Sequence, residues 1–128
     1  MSVMAPVSWG ELLDKYTILA IKAERLQEPD RVANVQREME ALLTLRRRAV
    51  EGDPEIGRCE AELTEVNTAL WEVEDAIRDC ERLQDFGPRF IELARSVYRH
   101  NDRRSRIKRE INQLLGSSLV EEKSYRPY

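Results

Sequence analysis

Apolar side chains recur along this chain at intervals of three and four residues, the repeat of an α-helix that buries one face. Four such stretches are divided by Pro and Gly, and they predict an all-α protein of four helices. The first covers about 9–27. Ser8 is placed to cap it, Glu11 stands three positions on to bond back, and Val7 with Leu12 matches a hydrophobic staple. Leu12, Tyr16, Leu19, Ala23 and Leu26 form its stripe. Leu13, Ile18 and Ile21 widen that stripe, so this helix is predicted to be the most buried of the four.

Pro29-Asp30 opens the second helix, over about 30–50, with Val32, Val35, Met39 and Leu42 inward. Arg46-Arg47-Arg48 puts positive charge near its C-terminal end, where the helix dipole favours it. Gly52 closes the helix, and Asp53-Pro54 caps and starts the third, over about 54–84. There Cys59, Leu63, Val66, Leu70, Val73, Ile77 and Cys80 step by four and three without a miss, a coiled-coil-like seam. Asp85-Phe86-Gly87-Pro88 is the next turn. The fourth helix, over about 88–115, opens with Phe90, Ala94 and Val97 and closes with Ile111 and Leu115 before Gly116. Residues 117–128 lack periodicity; either Leu119, Val120, Tyr125 and Tyr128 dock this tail on the bundle or the tail is frayed.

Short connections make successive helices antiparallel. The expectation is one domain over 1–128, an up-down-up-down four-helix bundle; the alternative is elongated helical hairpins that complete a core by dimerising. The length of the third helix favours an elongated shape and a partner.

Composition narrows the function classes. The 128 residues are 35% charged and 41% hydrophobic, a folded and heavily solvated profile. A net charge of −3 does not attract nucleic acid or an anionic membrane. No apolar run approaches the roughly 20 residues of a membrane helix, and the start Met1-Ser2-Val3-Met4-Ala5 lacks the charge of a secretory signal. Cys59 and Cys80, on one straight helix, would lie about 31 Å apart, too far for a disulfide. They read as buried thiols of a reducing cytoplasm, and with one distant His they make no metal set. No motif points to a cofactor.

The candidate chemistry lies in the fourth helix. Its stripe, continued from Val97, meets Asn101, Arg104 and Lys108 before Ile111, inside the basic run Arg99 to Arg109. The third helix is acidic, with Glu60, Glu62, Glu65, Glu72, Glu74, Asp75, Asp79 and Glu81. Folding the hairpin about 85–87 brings Asn101 near Trp71, Arg104 near Asn67, and Lys108 near Glu65. One reading is structural: the polar trio pairs with the acidic helix and fixes register. The other is a pocket for a small anion, with Lys22 and Arg25 joining Arg104 and Lys108, and Asn67, Asn101 and Asn112 adding hydrogen bonds.

Enzyme templates fit less well. Glu62-x-x-Glu65 and Glu72-x-x-Asp75 resemble the acid pairs of helical nucleotide pyrophosphohydrolases, but here both pairs share one helix and span about 20 Å, too far to enclose one magnesium cluster. Asp14, Lys22 and Arg25 resemble the first helix of helical chorismate mutases, over that helix only. His100, the single histidine, reads as a side chain of the basic helix rather than a proton shuttle.

Several blocks carry a wider resemblance. They are Pro6 to Lys15, Asn67 to Asp75, Tyr98 with Asn101 to Arg104, Lys108 to Asn112, and Val120 to Tyr125. Across essentially its whole length the chain resembles a family of small bacterial proteins of unknown function. That resemblance implies no activity and assigns no catalytic residue. It includes the tail and the polar trio, and so favours a docked tail. The sequence therefore predicts a helical interaction or assembly module, self-associating or bound to a protein partner. The alternative is an all-α metabolite-binding protein or enzyme with a polar pocket between helices 1, 3 and 4.

Overall fold

The computed structural model describes all 128 residues. It has four helices and no strand: α1 (Trp9–Arg25), α2 (Pro29–Gly52), α3 (Ile56–Arg82) and α4 (Pro88–Leu114). They run up, down, up, down as a bundle. α1 and α3 each pack on all three other helices, whereas the α2 and α4 backbones do not run side by side. The central place of α1 explains its burial: Gly10, Leu12, Leu13, Asp14, Thr17, Leu19 and Ile21 are all buried, while Lys15 faces outward.

The helix ends follow from local chemistry. The Ser8 hydroxyl accepts from the Glu11 backbone N–H at 3.0 Å, as the sequence predicts. The reciprocal half of the box is absent, because the Glu11 carboxylate turns to Lys108 at 2.6 Å. α1 ends two residues short of the expected 27: Leu26 and Glu28 are extended, and the residue before Pro29 is kept out of helical space. α3 begins two residues past the expected 54. The Asp53 carboxylate accepts from the Glu55 N–H at 2.8 Å and holds a turn first.

Both long helices of the second hairpin close with a left-handed residue. At Gly116 (φ 60°) the Ser117 N–H donates back to the Asn112 carbonyl at 2.8 Å. At Gln84 (φ 55°) the Asp85 N–H donates to the Cys80 carbonyl at 2.9 Å. These are Schellman closures, which satisfy carbonyls that the last turn would leave without a donor.

One apolar cluster joins Leu13, Ala49, Ile56, Cys59, Leu63, Val66, Ile107 and Ile111. It sits at the end of the molecule where α3 begins and α4 finishes. The other end of the α3/α4 hairpin is thinly packed: between Val73 and Val97 only Cys80 is buried. Leu83, Phe86 and Ile91 there are 63%, 47% and 54% exposed. The inward row of α4 also departs from expectation. Leu93 is more covered than Ala94, and Ile107 rather than Lys108 is buried, so Lys108 lies on the flank toward α1. The hairpin register shifts accordingly: Glu65 pairs with Arg103 at 3.1 Å and not with Lys108.

Candidate functional site

Arg104, Lys108 and Asn112 of α4 turn to α1, not to the acidic helix α3. Asp14, 1% exposed, is the centre. Arg104 grips its carboxylate with two donors, Nε to Oδ1 at 2.8 Å and Nη2 to Oδ2. Asn67 of α3 donates from Nδ2 to the same Oδ1 at 2.9 Å and to the Thr17 hydroxyl at 3.0 Å. The Thr17 hydroxyl in turn donates to the Asp14 carbonyl at 2.8 Å. A single buried network thus ties three helices, and no buried side-chain N or O lacks a partner. The hydrogen bonds from Arg104 to Asp14 outweigh burial and hold the guanidinium pKa above its ordinary value, so its charge is permanent.

One turn away the helices nearly touch. Gly10 has room for no side chain: a Cβ there would stand 2.5 Å from the Lys108 carbonyl oxygen. Its N–H donates to Asn112 Oδ1 at 2.7 Å. The other face of the Asn112 amide donates to Glu121 of the tail at 3.1 Å, and Ser8 donates to the same carboxylate. Burial opposes ionisation of Glu121, but the Ser8 hydroxyl, its own backbone N–H, Lys108 and Asn112 together leave its pKa below the ordinary carboxylate value. The tail is docked further along. Glu122 pairs with Arg109 at 2.9 Å, the Lys123 ammonium donates to the Asn101 carbonyl at 3.3 Å, and the Tyr128 ring meets Tyr98 edge-on at 4.9 Å.

Between the tail, α4 and the first turn of α1 lies a cavity of about 220 Å³ with no hydrophobic side chain in its wall. Arg104, Lys108, Arg109 and Lys123 line it with Asn101 and Ser105, against the carboxylates of Glu11 and Glu121.

Of the residues predicted from sequence, Asn67, Asn101, Arg104, Lys108 and Asn112 come together around the start of α1. Lys22 lies on the other side of Arg104, in a second cleft that it lines with Glu11, Asp14, Lys15, Glu38 and Arg104 and that does not include Lys108. Arg25 is spent on Glu72 of α3 at 3.1 Å. Sequence reasoning gave no central role to Asp14 or Thr17 and took Glu11 only as a cap. The signal was present: Gly10, Asp14, Thr17 and Ile21 form one helical row that is buried throughout. No three His, Cys, Asp or Glu side chains converge as metal ligands. No helix is long and apolar enough to cross a membrane.

Fold and site define a class: a small all-α bundle with a buried ionic network and a polar cleft strapped by its own tail. The chain belongs to a family of unknown function (DUF6165), whose profile matches residues 3–127. The expectation of a family of unknown function is therefore borne out over nearly the whole chain. No curated protein and no solved structure matches it.

Proposed function

We propose that the protein is a non-enzymatic assembly module that pairs with a second copy of itself through the distal α3/α4 hairpin. The observation that carries this reading is the uneven core. A helix hairpin gains its stability by burying an apolar stripe, yet from Val73 to Val97 this one buries Cys80 alone. Its seam is apolar in sequence, with Val73, Ile77, Phe90, Leu93 and Val97 partly covered and Ile91 exposed. A second pair of helices laid on that stripe would complete a four-helix arrangement.

Charge favours a copy of the same chain as the occupant. Over 73–82, α3 carries Glu74, Asp75, Asp79 and Glu81 against Arg78 and Arg82; over 88–99, α4 carries Arg89, Arg95 and Arg99 against Glu92. An isologous pair related by a two-fold axis sets the acidic face of one hairpin on the basic face of the other, twice. The two buried free thiols suit a reducing cytoplasm. Burial pushes the Cys59 thiol up to about 11, which leaves it unreactive.

Light scattering tests the pairing. The expected mass rises with concentration from 15.0 kDa toward twice that value. Ile91→Glu, at an exposed position, is expected to keep the helical content and hold the chain monomeric. A wild-type mass fixed at the monomer up to high concentration would overturn the proposal.

A further inference from the structure

The tail-strapped cleft is a second, separate candidate for recognition, and its chemistry is specific. The buried Asp14 engages Arg104 through Nε and Nη2. The remaining nitrogen, Nη1, has only a long 3.5 Å contact to Asn101 Oδ1. A carboxylate behind an arginine fixes the guanidinium plane and aims its free edge, an arrangement suited to an incoming oxyanion. Lys123 stands across the cleft with a carbonyl for a partner, the Asn101 oxygen at 3.3 Å, and no carboxylate within ion-pair reach. Lys108, anchored on Glu11 at 2.6 Å, and Ser105 complete that side.

From these residues we infer that the cleft binds a small phosphorylated hydroxy-compound. The phosphate sits between the free Nη1 edge of Arg104 and the ammonium of Lys123. Glu11, Glu121 and the Asn101 side chain accept hydrogen bonds from hydroxyl groups of the same molecule. The wall of this cavity has no apolar side chain; apolar surface belongs to the adjoining cleft, where Val97, Tyr98 and Tyr125 stand beside the shared Asn101, Arg104 and Lys123. At about 220 Å³ the space is below the roughly 300–1,000 Å³ usual for larger ligands. Glu121 is already seated on Ser8 and Asn112 at the rim, so ligand and tail close the site together.

Thermal unfolding of the whole protein with glycerol 3-phosphate, inorganic phosphate and glycerol tests this. Glycerol 3-phosphate is expected to raise the midpoint in a concentration-dependent way, inorganic phosphate less, and glycerol not at all. Lys123→Glu, which loses one exposed contact to the Asn101 carbonyl, is expected to change the unliganded midpoint little and to weaken glycerol 3-phosphate binding about tenfold or more. Arg47→Glu, exposed on α2 and away from both the cleft and the distal hairpin, serves as the charge-matched control and keeps wild-type affinity. The inference is overturned if glycerol 3-phosphate gives no saturable shift, or if Lys123→Glu and Arg47→Glu respond alike.

Discussion

Asp14 is the residue on which the bundle's interior depends most. A carboxylate that is 1% exposed is tolerable only because Arg104 and Asn67 occupy its oxygens. Removing one partner of such a pair strands the other charge, so Arg104→Met alone is expected to cost about 3–5 kcal/mol. Asp14→Leu combined with Arg104→Met removes both charges and is expected to recover most of that loss. Urea denaturation of the two singles and the double, read as a cycle, checks it through a coupling of about 1 kcal/mol or more. The sequence pointed to Arg104, Asn101 and Lys108 as anomalies because charged residues interrupted an apolar row. It did not point to Asp14, because the acids of α3 were the more numerous partners and periodicity says nothing about which helix lies across which. Glu11 shows the same blind spot: it sits where a capping box needs it, yet its carboxylate prefers the ammonium of Lys108, an ionic partner from another helix.

At the level of elements, the start of each helix was legible wherever a cap or a proline makes a local statement. Ser8, Pro29 and Pro88 each stand at the head of a helix. The less accurate boundary, at α3, came from reading Asp53-Pro54 as a direct cap when it first forms a turn. What local signals did not convey was the close crossing of α1 and α4 at Gly10. A methyl group there meets backbone, not a movable side chain, so Gly10→Ala is expected to destabilise by about 1–3 kcal/mol. It is also expected to break the Asn112 contact, visible as loss of protection at the Gly10 amide in hydrogen exchange.

The tail is an element of a different kind, held by ionic and hydrogen-bonded contacts. Because Glu121 has its folded pKa lowered, its contribution to docking is complete above the ordinary carboxylate value of 4.5 and is lost as pH falls through the lower folded value. Acidification below pH 4.5 is therefore expected to release residues 117–128, seen as sharpening of their NMR signals. Glu121→Gln is expected to blunt that part of the transition. A tail equally ordered at all pH values, or equally pH-sensitive without Glu121, would contradict the assignment.

For the whole molecule, the distribution of the core is the decisive fact. The fold class was legible because four amphipathic stripes between breakers leave little choice but a helical bundle. The uneven filling was not, because the seam of α3 runs without a miss from Cys59 to Cys80 and gives no hint that its second half is thinly covered. The heptad pattern reports which face is apolar and not what covers it. One end of the protein thus carries a satisfied interior and a polar cleft, while the other exposes an apolar, charge-sorted hairpin.

Amide hydrogen exchange over residues 73–100, followed as a function of protein concentration, tests self-pairing at that hairpin most directly. Protection that rises there with concentration, while the amides around Leu13, Leu63 and Ile111 stay constant, is the result expected. Exchange in the hairpin that is indifferent to concentration would contradict it.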